Sequence, residues 1–468
     1  MPDFCSYGSI FMKTCQEFRV FTCYYYSHSV ILSNMTVYFP AFALIYYFCG
    51  KYNFMKQRLF LSAIAFLFLV SCSRKLDIPG EDPVQQITID IGFLAADEME
   101  GREIGTPGES KAAAYIRNRF QEAGLKPAGT DGFYQPFSRK IKANPHATVA
   151  SADDPVINGK NVIGFLDNKA KQTVVIGAHF DHLGYGKEGS LYTGAPAIHN
   201  GADDNASGVA MMIYLAETLK KSKLKNNNYL FIAFSGEEKG LWGSNYFVNH
   251  PTLQLADMNY MINMDMVGRL NPERQLAVNG TGTSPAFEEV LTAANKSGLK
   301  LKLSASGVGP SDHTSFYLQN MPVLAFFTGQ HEDYHKPSDD IHLLNFSGMR
   351  DVSAYVYRII EGLDGKGKIT FTKTKDESND APRFTVSLGV IPDYLYDGKG
   401  MRIDGVREGK PAHKADLLKG DIVLKMNDIE VADMMSYMKA LASFKQGDTA
   451  NLLIKRGDQE MVKQVKFE

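Results

Sequence analysis

Five short segments of the chain carry acids and histidines at spacings that could do chemistry: Ala178-His179-Phe180-Asp181-His182, the Gly-rich bend at 200–208, Ser235-Gly236-Glu237-Glu238, Asn263-Met264-Asp265 and Tyr334-His335. Imidazole and carboxylate donors suit zinc, and two zinc ions sharing one carboxylate and a water form a hydrolytic arrangement. Each segment alone has a plain structural use. A Glu-Glu pair in a turn is solvated surface, a histidine at a strand end is hydrogen-bonded, and Asp-Asp before a helix is a cap. It is the joint order, His-x-Asp, Gly-x-Asp-Asp-Asn-x-Ser-Gly, Ser-Gly-Glu-Glu, Asn-Met-Asp and Tyr-His in one chain, that points to a two-metal site. Within the bend, one aspartate could bridge two cations, with Asn205 or Ser207 capping the helix that follows.

Something must hold these segments together, and the apolar runs beside them supply it. Strands are expected at 173–178, 229–235, 260–264 and 322–327, and helices at 110–123, 207–220, about 285–297 and 347–363. Short, continuously apolar strands between amphipathic helices mean an α/β fold, a three-layer α/β/α sandwich with a mostly parallel central sheet covered on both faces. In such sheets ligands gather beyond the carboxyl ends of the strands. Four strands therefore deliver polar groups to one rim.

Residues about 85–364, on these motifs taken together, resemble the di-zinc exopeptidases of the aminopeptidase Y type, a family that also holds glutamate carboxypeptidases and glutaminyl cyclases. The resemblance implies a metallo-aminopeptidase with two zinc ions. By it, His179 and Asp265 hold one ion, Glu238 and His335 the other, and Asp204 bridges them, followed by a cis peptide to Asn205. Glu237 is then the general base, Asp181 orients the His179 imidazole, and Tyr334 hydrogen-bonds the substrate carbonyl oxygen as charge develops. Ser311-Asp312-His313 has no Gly-x-Ser-x-Gly elbow with it; the resemblance implies a place at the rim of the substrate pocket, and a structural role is the alternative. His182, His199 and His331 are left as supporting or surface groups, and Asp339 as a partner of His335.

After a polar linker at 365–382, residues 383–468 change texture to short strands, one helix and many glycines. This small β-rich region resembles a PDZ domain, with Ser387-Leu388-Gly389-Val390 in the place of the carboxylate-binding loop and Leu417-Leu418-Lys419-Gly420-Asp421 in its middle. The resemblance implies capture of a C-terminal peptide or partner protein.

Charge and cysteine usage narrow the alternatives. Fifty Lys and Arg against 52 Asp and Glu leave a formal charge of −2, so no basic field exists for nucleic acid. All five cysteines fall in the first 72 residues, which excludes thiolate chemistry from the body. Residues 55–71, with Lys56 and Arg58 before an apolar run and Leu69-Val70-Ser71-Cys72 at its end, read as a lipoprotein signal peptide. Acylation of Cys72 would make the protein an exported bacterial lipoprotein, periplasmic or outer-membrane-attached. Residues 1–54 are then expected to be upstream sequence before a natural start at Met55, the alternative being a real extension with a membrane segment at Val30 to Cys49. Two other readings stand beside the aminopeptidase acting on peptide substrates: a glutaminyl cyclase-like cyclotransferase, and a catalytically idle peptide-binding lipoprotein.

Overall fold

The protein is described by a computed structural model that covers residues 83–141, 154–374, 386–393, 396, 398–407 and 409–467. The expected signal peptide, the Cys72 anchor, residues 1–54 and the part of the linker from 375 on lie outside the described residues. Among the described residues no helix is long and apolar enough to cross a membrane.

Nine strands form one mixed sheet: β1 (Lys126–Pro127), β2 (Tyr134–Lys140), β3 (Val156–Leu166), β4 (Gln172–His179), β5 (Asn227–Phe234), β6 (Met258–Met264), β7 (Gln275–Asn279), β8 (Lys300–Ser304) and β9 (Val323–Phe327). Their order is β1-β3-β5-β4-β6-β9-β7-β8, with β2 also paired to β3. The central four, β5-β4-β6-β9, run parallel, and antiparallel pairings join them to the flanks at β3 and β7. Every residue of β4 after its first, and every residue of β5 and β6, is buried. Alternate side chains feed two layers. Val174 and Ile176 pack with the helices Pro83–Leu94, Pro107–Glu122, Gly208–Lys221 and Phe346–Leu363, whereas Val175 packs with Phe247 and Phe316 on the other face. Each fully buried side chain of this size contributes about 1.5–3 kcal/mol. The two-faced burial explains why these strands read as unbroken apolar runs.

The register levels the functional segments. His179 pairs with Phe234 and Gly177 with Asn263, so Asp265 lies at the height of His179 and Ser235 begins one residue beyond it. β5 lies on one side of β4 and β6 on the other, which makes the end of β4 the point where the winding reverses.

Helix termini are set by local chemistry. Thr106 Oγ1 accepts from Glu109 N at 3.3 Å with Pro107 at the first helical position, and Asn345 Oδ1 accepts from Gly348 N at 2.9 Å. The helix Phe346–Leu363 presents Met349, Val352, Val356, Ile359, Ile360 and Leu363 as one buried stripe at helical spacing.

A second, wholly antiparallel sheet follows: β10 (Val390–Pro392), β11 (Met401–Val406), β12 (Ile422–Met426), β13 (Ile429–Glu430), β14 (Thr449–Arg456) and β15 (Gln459–Lys466). It has its own core of Leu388, Val423, Leu452, Ile454 and Phe467, under the helix Met434–Leu441, whose first turn is closed by an Asp433/Ser436 capping box. The described part of the expected linker is fastened to the first sheet's body. Ile369 is buried, its N–H donates to Asn259 Oδ1 at 2.8 Å, and Thr372 N donates to Thr283 O at 2.8 Å.

Candidate metal centre

The bend after β4 explains its own sequence. Gly201 has φ 55°, and a Cβ there would lie 2.1 Å from Asp204 O, so only glycine fits. At Gly208 a Cβ would meet Met264 O at 2.4 Å, which is how closely the first turn of the helix Gly208–Lys221 approaches β6. Asn205 Oδ1 caps that helix, accepting from Gly208 N at 3.0 Å and from Met266 N at 3.2 Å. Ser207 Oγ instead donates to Asp203 O and accepts from Val267 N. Of the two expected capping residues, Asn205 therefore binds the first helical N–H. The Asp204–Asn205 peptide is cis.

Two donor groups converge on Asp204. Its Oδ1 lies 3.4 Å from His179 Nε2, which is itself 3.3 Å from Asp265 Oδ1. Its Oδ2 lies 3.2 Å from His335 Nε2, which is 3.2 Å from Glu238 Oε2. Asp204 thus turns one oxygen to each group. His335, at φ 54°, is held by Gly189 O, 3.0 Å from Nδ1, and its ring stacks on Tyr334 with centroids 3.8 Å apart. Asp181 stands behind the first group. Its carboxylate accepts from Glu237 N at 3.1 Å and Glu238 N at 3.4 Å, and is 3.7 Å from His179 Nδ1, at ion-pair rather than hydrogen-bond range.

So many buried acids leave a mark on their proton affinities. Burial, with Asp265, Glu238 and Asp312 nearby, holds the Glu237 carboxyl well above the usual range despite His179. Burial acts the same way on Glu238, but His335 and His182 outweigh it and hold that carboxyl well below its ordinary value. Burial opposes a charge on His335 too, yet Glu238 and Asp204 raise it to about 11. A concentration of buried carboxylates, compensated by histidines and by the buried Arg102 guanidinium, is the charge pattern a divalent cation would relieve further. The donor types, three carboxylates and two imidazoles in two groups, fit zinc.

Residues 161–360 match the model of peptidase family M28. Over this stretch, less than half of the chain, the protein has an M28-like domain, similar to that family. Residues 369–466 match the model of the PDZ domain and contain the second sheet. The chain is similar to aminopeptidase YwaD of Bacillus subtilis, 30% identical over 221 residues that are 43% of this chain and 45% of that protein. It is also similar to a probable leucine aminopeptidase of Trichophyton verrucosum, 27% identical over 50% of this chain and 64% of that one. A solved zinc aminopeptidase from Bacillus subtilis superposes with a TM-score of 0.47 at 19% identity, over 61% of this chain and 95% of its own. These matches span less than two thirds of the curated relatives' length.

Three histidines and an aspartate of the M28 domain have more specific places than the sequence offered. His182 is fully enclosed, with Nδ1 2.8 Å from Glu238 Oε1 and 3.9 Å from Asp204 Oδ2, so its ring nitrogen converges on the second donor group and steadies Glu238. His331 Nε2 is 3.1 Å from Asp203 Oδ2, and His199 Nε2 is 2.8 Å from Ser190 Oγ. Asp339 is not the partner of His335. Its carboxylate accepts from Asp203 N and Asp204 N at 3.0–3.1 Å and thereby holds the bend. Asp312 and His313 are completely buried, and neither side chain has a hydrogen-bond partner among the described residues. Burial pushes the Asp312 carboxyl up to about 7 and His313 down to about 4.

One residue that supports the centre has no signal in sequence. Arg102, fully buried, donates to Phe180 O, Leu94 O, Asn200 O and Gly201 O at 2.5–3.0 Å, and so ties the end of β4 to the start of the bend. Arg102→Met leaves four carbonyls without that donor. It is expected to lower stability by about 3 kcal/mol or more, seen as a reduced urea midpoint at unchanged slope. An unshifted midpoint would show that the carbonyls find other donors.

Proposed function

We propose that the protein is a zinc-dependent aminopeptidase that hydrolyses the N-terminal peptide bond of peptide substrates. The observation that carries this reading is Asp204, with one carboxylate oxygen toward His179 and Asp265 and the other toward Glu238 and His335. In this proposal His179, Asp204 and Asp265 hold one zinc ion, and Asp204, Glu238 and His335 the second. Bound zinc supplies positive charge that acidifies water and polarises a carbonyl. Glu237 takes the proton from the attacking water and gives it to the departing amine. Its raised proton affinity in the enclosed site suits both halves of that task. Asp181 fixes Glu237 and Glu238 through their N–H groups and faces the far nitrogen of His179. Tyr334 donates its hydroxyl to the carbonyl oxygen as negative charge develops there. Burial, with Asp204 and Glu238 close by, holds that phenol well above its usual range, so it stays a donor.

Peptides that begin with glutamine separate this chemistry from cyclisation. The aminopeptidase releases free glutamine and the shortened peptide. A product that instead loses ammonia and keeps its length would move the assignment to a cyclotransferase.

Export and a lipid anchor on Cys72 belong to the same proposal, on the basis of the basic start, apolar run and terminal cysteine at 55–72. Cells fed labelled palmitate test it, and an unlabelled protein would remove the anchor.

A further inference from the structure

A cavity of about 500 Å³ lies where the PDZ domain faces the M28 domain. Leu191, Glu332 and Lys336 line it from one side, and Asp404, Arg407 and Lys419 from the other. Its M28 wall is fastened to the candidate metal centre: Leu191 N donates to His335 O at 2.9 Å, and Lys336 directly follows His335. The cavity therefore begins one residue from a proposed zinc ligand.

Its charges are not balanced in pairs. Lys419 Nζ and Asp404 Oδ1 answer each other at 3.2 Å. Lys336, Arg407 and Glu332 make no ion pair among the described residues, which leaves two cationic groups against one acid in the lining. Arg407 is fixed through its backbone, its N–H donating to Gly389 O at 2.8 Å, but its side-chain Nε is buried with no acceptor among the described residues. A buried, unanswered guanidinium N–H is unfavourable by itself, and the group is built for a planar, two-oxygen acceptor.

We propose that Arg407, supplied by the PDZ domain, and Lys336 form a carboxylate-binding subsite for the part of the substrate beyond the scissile bond. This rests on the aminopeptidase reading above. A peptide with its first residue at the metal centre extends by about 3.3 Å per residue, and in this proposal its second and third residues run past His335 toward Lys336. The carboxylate is then either the C-terminus of a short peptide or an acidic side chain near the cut. The PDZ domain becomes a wall of the active site, and its contact with the M28 domain sets substrate choice.

The test uses the full chain carrying Glu237→Gln, zinc-loaded, with binding read by calorimetry. Its probes are Leu-Ala-Ala, Leu-Ala-Ala amide, Leu-Glu-Ala amide, and the N-acetylated form of each. The free acid is expected to bind at least about tenfold more tightly than the amide, equivalent to about 1.4 kcal/mol. Adding Arg407→Gln should bring the ratio close to one, while Arg407→Lys should keep part of it and confirm an intact fold by an unchanged melting temperature. Tight binding of Leu-Glu-Ala amide would assign the carboxylate to a side chain and equally support the subsite. Equal binding of all the free-amine peptides overturns the proposal, as does a preference that survives Arg407→Gln. A preference that the acetylated peptides share belongs to the PDZ carboxylate loop at 387–390 and overturns it too. The chain with Glu237 intact, given the same peptides, separates the two readings. Binding preference without hydrolysis would end the aminopeptidase reading alone, and hydrolysis without preference would end the subsite alone.

Discussion

Glu237→Gln is expected to keep its zinc and lose turnover by about 10²–10⁴-fold, the range that a positioned acid–base group supplies. The replacement is nearly isosteric, and Glu237 is in neither of the two donor groups that meet at Asp204, so metal content measured by mass spectrometry should equal that of the parent. Thermal stability should not fall. Glu237 is a carboxyl whose ionised form is disfavoured by burial, and the amide removes that unfavourable charge. Full activity in this variant would remove Glu237 as the base. Lost activity together with lost zinc would instead move it among the ligands.

Asp204→Ala should have the opposite signature. Both donor groups lose their shared carboxylate, so zinc per chain should fall well below two. The loss in metal affinity should exceed the 10–100-fold that removing a supporting partner typically gives, and kcat/KM should fall with it. The bend should survive, because Asp339 holds it through the backbone N–H groups of Asp203 and Asp204 rather than through the Asp204 side chain. With chelator present, the variant should melt no lower than the metal-free parent, since one acid has left a crowded buried cluster. Two zinc ions per chain in Asp204→Ala would contradict the bridging assignment. A melting temperature far below the metal-free parent's would show that the side chain is structural.

The fold was legible wherever burial is two-sided. β4, β5, β6 and β9 each carry a mostly apolar run because helices cover both faces, broken in β6 by the buried Asn259 and Asn263, and each was visible as a run followed by acids or a histidine. The flanking strands were not. β3 carries Asn158-Gly159-Lys160-Asn161 in its middle, and β8 alternates lysine with leucine over half-exposed positions, so neither has a run to find. The eight proposed site residues could be named because the motifs that carry them resemble those of a known family; His179, Glu237, Glu238 and Asp265 lie at or just past strand ends, whereas Tyr334 and His335 lie in a loop well beyond β9. What binds the supporting residues is different in kind. Arg102 acts through four carbonyls from separate segments, Asp339 through two amides 135 and 136 positions away, and His182 through Glu238. Contacts of that range leave no spacing in the sequence. That Arg407 and Lys336 line one cavity is likewise a product of how two domains meet.

The central claim is zinc-dependent removal of the first residue of a peptide. It is tested most directly by comparing zinc-loaded and chelator-treated protein on matched peptides with free and acetylated N-termini, with products read by mass. The account predicts release of the first residue from the free peptides alone, lost on chelation and restored by zinc. Release from the opposite end, or turnover that survives chelation, would contradict it.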